Sequence, residues 1–324
     1  MSPLTSAAPN GSPLKPIQIP ALGLGTFEAA ADDAGRCARA VSHALRTGYR
    51  HIDTAAAYGC EAEVGEGIRD SGIPRGDIFL CTKFWQQWHA PEDVARSLDE
   101  SLARLQTSYV DLYLMHWPLA FERTDDYEIR TREDGKPVVN EELSSNHEPT
   151  WRAMEELVRR GKTRAIGVSN FNVEQLKKLL SFARIKPVCN QVEAHPWLPQ
   201  KELLEFCREN DIAFVAYSPL GSQSGPKTMH TLTARLLEDE TVVEVAHRLK
   251  TGPAQVLLAW AIQRGTVAIP KSSNPKRIDD NLKVIELGKK DFDLIDQITV
   301  RDPLKRNRLV NFDTVWGVNC FGDE

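Results

Sequence analysis

The stretch "YRHIDTAAAYGCEAEVGEGI", residues 49–68, joins a short apolar strand pattern, a loop of small residues and an amphipathic segment. The strand pattern ends in an acid, Asp53, and a phenol, Tyr58, follows five residues later. A strand followed closely by a helix is the building unit of α/β folds. The sequence therefore predicts that an acid and a phenol lie together just beyond the end of a buried strand.

The same unit recurs along the chain. Continuous apolar runs rich in β-branched residues suit strands that are buried on both faces, as in parallel sheets. We predict eight such strands, at residues 21–26, 49–54, 78–83, 110–117, 163–170, 187–195, 212–220 and 266–272. Helical patterns lie between or after them, at residues 33–47, 61–70, 91–105, 150–160, 173–182, 199–210 and 273–282.

Eight strands that alternate with helices predict an α/β fold, a (β/α)8 TIM barrel, as a single domain over residues 1–324. A doubly wound sheet is the alternative, and it would carry a glycine-rich phosphate-binding fingerprint after the first strand. The segment "GLGTF" has two of these glycines and lacks the third. We interpret Gly23 and Gly25 instead as positions of tight packing at the first barrel strand.

Other segments interrupt the alternation. Residues 118–149, residues 221–240 and the tail beyond Arg301 are long for loops of a compact domain, so we expect the long loops and the tail to cover the active site. Residues 1–16 are expected to form a flexible or hairpin-forming N-terminal segment, with a turn at Asn10-Gly11.

The composition of the chain is typical of a globular protein and disfavours several other classes of protein. The chain is 26% charged and 41% hydrophobic with a net charge of −5, so nothing favours binding to nucleic acid or to an anionic membrane. No apolar run approaches the ~20 residues of a membrane helix, and the N terminus lacks a signal-peptide pattern. Six scattered cysteines without a C-x-x-C pair favour a reducing, cytoplasmic compartment and no metal site. Cys81 and Cys189 are expected to be inert core thiols.

Polar side chains stand where the predicted strands end, and barrel enzymes carry their active sites at that edge. Taken one by one, such residues are more often a turn cap, a solvated lysine or a structural histidine. Their convergence on one rim favours a functional site. The residues are Asp53 and Tyr58, Lys83, His116 and Trp117, Ser169 and Asn170, Gln191 and Glu193, Tyr217 and Ser218, and Lys271 and Ser272.

Four of these side chains suggest acid catalysis on a carbonyl group. A tyrosine with a pKa near ~10 is a poor proton donor at neutral pH, and a nearby ammonium lowers that pKa. We expect Asp53 to hold Lys83, and Lys83 to bring the pKa of Tyr58 closer to the working pH. His116 can orient the substrate oxygen. No Ser-His-Asp or metal set competes, so hydride transfer from a nicotinamide is the economical reaction.

The segment "IPKSSNPKRIDDN", residues 269–281, suggests a phosphate site. It places Lys271, Ser272, Lys276 and Arg277 around a helix start after the last strand. Barrels often bind phosphate there, and two or three cations favour an additional 2′-phosphate, hence NADPH over NADH. The alternative interpretation is a solvated basic patch.

These motifs resemble the aldo-keto reductase family over nearly the whole chain. The resemblance lies in "GYRHIDTAAAYGCEAEVGEGI", "VDLYLMHWP", "GKTRAIGVSNF" and "IPKS", which occur in this order. The chain is also similar to fungal glycerol or glyceraldehyde reductases. The family implies a barrel that binds NADPH in extended form without a Rossmann domain and reduces a carbonyl reversibly.

The resemblance also implies roles for matching residues. The catalytic residues would be Asp53, Tyr58, Lys83 and His116, with Tyr58 as the proton donor. The carboxamide of the cofactor would contact Ser169, Asn170 and Gln191, and its nicotinamide ring would stack on Tyr217. Its pyrophosphate would contact Ser218, Leu220 and Ser222. Its 2′-phosphate would contact Lys271, Ser272 and Arg277, and its adenine would contact Asn281. The substrate pocket would be lined by Phe27, Trp85, His116, Trp117 and Trp316.

Three positions depart from the family pattern. Many members have Trp where this chain has Phe27, and many have Glu where it has Asp280. Ser273 stands where dual-cofactor members can carry Asn, which favours NADPH. We expect a monomer that acts on a small aldehyde or a sugar aldehyde and has no nucleic-acid or membrane partner.

Two other functions stay open from the sequence. One is a cofactor-binding subunit of a membrane channel that does not turn over. The other is a lyase or isomerase in which Lys83 forms a Schiff base. Arg123, Arg130 and Arg132 could suggest acidic sugars as substrates, but the charge signs of that loop alternate, which favours a solvated face.

Overall fold

The computed structural model describes residues 4–5, 17–27, 33–221 and 235–321. Within these residues, eight parallel strands form one sheet that follows chain order, preceded by the short antiparallel pair Leu4–Thr5 (β1) and Gln18–Ile19 (β2). The sheet strands are Leu24–Gly25 (β3), His51–Asp53 (β4), Phe79–Phe84 (β5), Val110–Met115 (β6), Thr163–Ser169 (β7), Cys189–Glu193 (β8), Ala213–Tyr217 (β9) and Val267–Ala268 (β10). The predicted turn at Asn10-Gly11 lies outside the described residues.

The sheet closes on itself into a barrel. The backbone N–H of Gly23 donates to Ala268 O at 2.9 Å, and that of Gly25 donates to Pro270 O at 3.0 Å, which pairs the two edge strands. A Cβ atom on Gly23 would lie 2.7 Å from Nδ1 of His51. The tight packing predicted for these glycines is therefore confirmed, and the doubly wound sheet is excluded.

Helices surround the barrel, and every helix predicted from the sequence is present with ends shifted by at most a few residues. They are Arg36–Thr47 (α1), Glu61–Ser71 (α2), Pro91–Leu105 (α3), Glu141–Ser145 (α4), Glu148–Arg159 (α5), Val173–Phe182 (α6), Lys201–Glu209 (α7), Glu240–Arg248 (α8), Pro253–Gln263 (α9), Pro275–Leu282 (α10), Lys289–Asp296 (α11), Ile298–Arg301 (α12) and Asp313–Trp316 (α13). The sequence pattern did not single out α4, α8, α9, α11, α12 or α13. Residues 256–261 of α9 are all buried, so this helix lacks the polar face that marks an amphipathic segment.

The interior of the barrel holds a cluster of buried apolar side chains. It includes Ile19 of β2, Phe79 at the start of β5, and the thiols of Cys81 and Cys189, which have no exposed surface. Burial raises the pKa of both thiols, which favours their protonated form. The prediction that they are core residues is confirmed, and their inertness stays a prediction.

The segment 118–149 is more ordered than a charged loop. Antiparallel bridges join Phe121 to Val139, Arg123 to Ile129 and Thr131 to Pro137, and α4 follows. Arg130 and Arg132 are exposed, as expected for a solvated face. That expectation is wrong for Arg123, which makes two hydrogen bonds, of 2.5 and 3.1 Å, to the buried carboxylate of Asp93. No helix in the described part of the chain is long and apolar enough to cross a membrane.

The close contact between α1 and α2 gives a test of the packing. A Cβ atom on Gly67 would lie 2.5 Å from Ala38 O, so Gly67→Ala should force the two helices apart and lower the free energy of unfolding by about 2 kcal/mol. Gly76→Ala is the matched control, because no atom lies within 4 Å of its added methyl group. Urea unfolding measures both variants. Equal stabilities would contradict the packing described here.

Candidate active site

A buried ion pair lies where β4 and β5 end. Lys83 Nζ donates to Asp53 Oδ1 at 2.6 Å and to Thr54 O at 3.0 Å, and both side chains of the pair are at most 2% exposed. Gln191 Nε2 donates to the second carboxylate oxygen of Asp53 at 2.8 Å. Because β4 and β8 lie on opposite sides of the barrel, this carboxylate joins two walls across the interior. Sequence analysis assigned Gln191 to the cofactor and missed its contact with Asp53.

Tyr58 lies directly above this pair. A 3-10 turn, Ala56–Tyr58, follows β4, and Gly59 at φ 68° ends it before α2 begins. This turn brings the ring of Tyr58 to 5.2 Å from Lys83 Nζ, measured to the ring centroid. Edge-on contacts to Phe27 at 5.1 Å and to His116 at 5.6 Å hold the ring on its other sides. The structure therefore brings the four predicted catalytic side chains together.

The charges of the pair and the phenol depend on burial. Burial is the largest single influence on Lys83 and disfavours its ammonium, but the charge and hydrogen bond of Asp53, together with Tyr58 and Cys81, outweigh it, so the pKa of Lys83 is raised and the amine stays charged. Burial is also the largest influence on Tyr58 and raises its pKa to about 12, against the opposing effect of Lys83. Lys83 lowers this pKa as expected, but burial outweighs it, so the expectation of a net fall toward the working pH is wrong. Lys83 only limits the rise that burial causes.

His116 follows β6 and is neutral. Burial and the nearby ammonium of Lys83 both hold its pKa well below the usual value for histidine. Its Nδ1 is buried and has no hydrogen-bond partner among the described residues. The ring packs edge-on against Trp85 at 5.0 Å and lines the same cavity as Tyr58. A neutral imidazole in this place can donate one hydrogen bond to a ligand oxygen.

A polar network on β7, β8 and β9 lies beside these residues. Ser169 Oγ donates to Gln191 O at 2.7 Å, and Asn170 Nδ2 donates to His116 O at 3.0 Å. Tyr217 OH donates to Asn170 Oδ1 at 2.9 Å, and Asn170 has a left-handed backbone at φ 63°. Asparagine tolerates this conformation better than most residues. The four residues predicted to surround a nicotinamide are thus neighbours at the strand ends.

One cavity of about 1120 Å³ connects the predicted sites. Its lining includes residues from all three predicted groups: Asp53, Tyr58 and His116; Asn170, Gln191, Tyr217, Ser218, Leu220, Lys271, Ser272, Arg277 and Asn281; and Phe27, Trp85, Trp117 and Trp316. Lys83 and Ser169 do not line it and lie buried behind the wall. Ser222 lies outside the described residues. Most of the predicted residues therefore line one cavity rather than several separate ones.

The far end of the cavity is formed by the start of α10. Asn274 caps this helix by accepting the backbone N–H of Arg277 at 3.1 Å. The Arg277 side chain is exposed, lines the cavity and makes no ion pair with any described residue. Lys276 instead pairs with Asp280 at 2.6 Å, and Lys283 binds the same carboxylate at 3.0 Å. Of these helix residues, Arg277 is the cation placed to meet an anionic ligand.

The other end of the cavity is aromatic. Trp316 of α13 packs against Trp85 at 5.9 Å and against Trp117 at 4.8 Å, measured between ring centroids. Phe312 stacks on Trp316 at 4.5 Å and also lines the cavity. Sequence analysis missed Phe312, although the aromatic pair in "NFDTVW" signals it. The tail beyond Arg301 thus forms one wall of the cavity.

Comparison with known proteins confirms the predicted resemblance and fold. The model of the Aldo/keto reductase family matches residues 21–300. The chain is 45% identical over 312 residues to the glycerol 2-dehydrogenase (NADP(+)) of Hypocrea jecorina, covering 95% of this chain and 96% of the relative. It is 44% identical over 296 residues to the Saccharomyces cerevisiae protein of the same name, covering 89% and 90%. The aldose reductase structure from Schistosoma japonicum superimposes with a TM-score of 0.84 at 33% identity, covering 99% and 98%.

Proposed function

Because this chain belongs to the aldo/keto reductase family, we propose that it is an NADPH-dependent oxidoreductase that reduces an aldehyde or ketone to an alcohol. The observation that carries this proposal is the buried Asp53–Lys83 pair beneath Tyr58, in the wall of a cavity that continues to Arg277. An acid, a neutral hydrogen-bond donor and a distant cation in one cavity suit a carbonyl beside a phosphorylated cofactor.

The residues around the cavity fit NADPH by their chemistry. Asn170 and Gln191 carry amide groups suited to a carboxamide, and Tyr217 offers an aromatic face. Ser169 lies behind the cavity wall, where its hydroxyl donates to Gln191 O and accepts from Asn170 Nδ2. Lys271, Ser272 and Arg277 bring cationic and hydroxyl groups suited to a 2′-phosphate, with Asn281 beside them. When NADPH is bound, its hydride supplies the electron pair that reduces the carbonyl carbon.

Tyr58 is the proton donor in this proposal. Its raised pKa keeps the phenol protonated, and it transfers the proton to the carbonyl oxygen as that oxygen becomes an alkoxide, a stronger base than a phenolate. Lys83 then stabilises the phenolate that remains, and Asp53 keeps Lys83 charged. His116, as a neutral donor, orients the carbonyl oxygen toward Tyr58. In the reverse direction the phenolate accepts the proton of an alcohol.

The proposed substrates are small aldehydes and sugar aldehydes, and the aromatic end of the cavity suits apolar aldehydes as well. The two fungal relatives are named for glycerol and NADP(+), which favours glyceraldehyde-sized substrates and NADPH. A Schiff base on Lys83 does not fit, because this amine is fully buried, ion-paired and charged. No contact described here favours a channel subunit. A monomeric state and a cytoplasmic location stay predictions.

The proton donor can be tested directly. Tyr58→Phe is expected to lower NADPH-dependent reduction of DL-glyceraldehyde by at least about 100-fold, because the carbonyl oxygen loses its acid. NADPH binding, followed by fluorescence, should persist. The control is Tyr109→Phe, which changes a tyrosine packed between Arg75 and Arg164 at the other end of the barrel. Wild-type turnover by Tyr58→Phe would refute the mechanism.

The phosphate role of Arg277 gives a second test. Arg277→Ala should raise the Kd of NADPH about tenfold or more while changing that of NADH less than about twofold, since only NADPH carries the 2′-phosphate. Lys276→Ala is the matched control, because its ammonium is already paired with Asp280. Titration with each cofactor provides the measurement. Equal losses for the two cofactors would remove Arg277 from the 2′-phosphate site.

A further inference from the structure

Glu193 is a buried acid that the proposed mechanism does not use. It is the last residue of β8, two positions after Gln191, and its side chain has no exposed surface. Sequence analysis placed it at the rim of the barrel without a role. A buried carboxylate is costly unless its oxygens are hydrogen-bonded, so its partners show what it holds.

The partners of Glu193 are backbone groups of the tail. Leu309 N–H donates to Oε1 at 2.7 Å and Val310 N–H donates to Oε2 at 3.1 Å. His195 Nε2 lies 2.8 Å from Oε1, so its Nε2–H completes the set of donors. The side chain of His195 has no exposed surface either. The carboxylate is therefore bound on both oxygens, and the tail supplies two of its three donors from the described part of the chain.

The hydrogen bonds from Leu309 and Val310 to Glu193 form an anchor for the tail. This anchor lies just before the tail residues that form the cavity wall. Val310 itself, Phe312, Val315 and Trp316 all line the cavity. If the tail moved away, the carboxylate would lose two of its hydrogen-bond donors, which opposes that movement. The position of the aromatic wall thus depends on a residue that does not touch the cavity.

The end of β8, which carries Glu193, also contacts the predicted catalytic residues. Gln191 holds Asp53 from β8, and Glu193 is the register partner of Tyr217 on β9. Leu309 lies close to Gly221, because a Cβ atom on that glycine would be 3.5 Å from Leu309 Cδ1. The anchor therefore fixes the tail relative to the strands that carry the predicted cofactor contacts.

We propose that Glu193 is a positioning residue that fixes the tail and thereby sets the affinity for bulky aldehydes. This inference rests on the proposed carbonyl reduction. Small aldehydes need Tyr58, His116 and the barrel wall, whereas bulky ones also contact Phe312 and Trp316. Loss of the anchor should weaken the binding of bulky substrates selectively.

Glu193→Gln removes one acceptor oxygen and places an amide N–H₂ opposite a tail N–H. It is expected to raise the KM of an aromatic aldehyde such as 4-nitrobenzaldehyde about tenfold, and that of DL-glyceraldehyde less than about twofold, with kcat for glyceraldehyde unchanged within about twofold. The control is Asp111→Asn. Asp111 is equally buried, but it binds Arg75 and Arg164 at the opposite end of the barrel. A proportional rise of both KM values, or the same selective rise in Asp111→Asn, would overturn the proposal.

A second pair of variants tests the same contact by substitutions in the tail, without changing a barrel residue. Val310→Pro deletes the N–H that Glu193 Oε2 accepts, whereas Val310→Ala keeps it and shortens the same side chain. Only Val310→Pro should reproduce the selective rise in KM for the aromatic aldehyde. Equal effects of the two variants would assign that rise to lost packing and overturn the role of Glu193.

Hydrogen exchange separates this proposal from the proposed function. In the wild-type protein the amides of Leu309 and Val310 should be protected, and Glu193→Gln should speed their exchange at least about tenfold. If the wild type reduces no aldehyde with NADPH, the proposed function fails, but this exchange still shows whether Glu193 holds the tail. Unprotected amides in the wild type would overturn the anchor whatever the activity.

Discussion

The buried contact between Lys83 and Asp53 is the constraint on which the site depends. An ammonium without solvent exposure is costly, and here a carboxylate oxygen and Thr54 O satisfy it. The same carboxylate accepts a hydrogen bond from Gln191 on the opposite side of the barrel. The ion pair therefore links the ends of three strands, β4, β5 and β8. The phenol of Tyr58 lies over this pair, with the ammonium of Lys83 beneath its ring and Phe27 and His116 beside it. The chemistry of Tyr58 follows from that position.

A second constraint is that one cavity has two chemically different ends. The start of α10 provides a capped helix terminus and an available cation in Arg277, whereas the tail provides stacked aromatic rings. The barrel supplies the rigid strand ends between them. In the proposed function, the tail outside the barrel contacts the substrate, and Tyr58, which follows strand β4, supplies the acid. The anchor at Glu193 links these two parts.

Much of this arrangement was predictable from local sequence. Apolar runs that end in polar residues predicted the strand ends, and the order of the motifs predicted the family. The contact between Gln191 and Asp53 spans 138 positions and arises from the closure of the barrel, so no local pattern reveals it. The pKa of Tyr58 was predicted in the wrong direction, because the extent of burial depends on the assembled walls. The ion pair of Arg123 with Asp93 was missed for the same reason.

The central claim is that Tyr58 donates the proton and that burial over Lys83 keeps it protonated. The most direct measurement is the pH dependence of kcat/KM for NADPH-dependent reduction and for the reverse oxidation of an alcohol. With a pKa of about 12 for Tyr58 and a neutral His116, reduction should not change between about pH 6 and about pH 9. Oxidation should rise about tenfold per pH unit over the same range, because it needs the phenolate. A fall of reduction with an inflection inside that range would contradict the account.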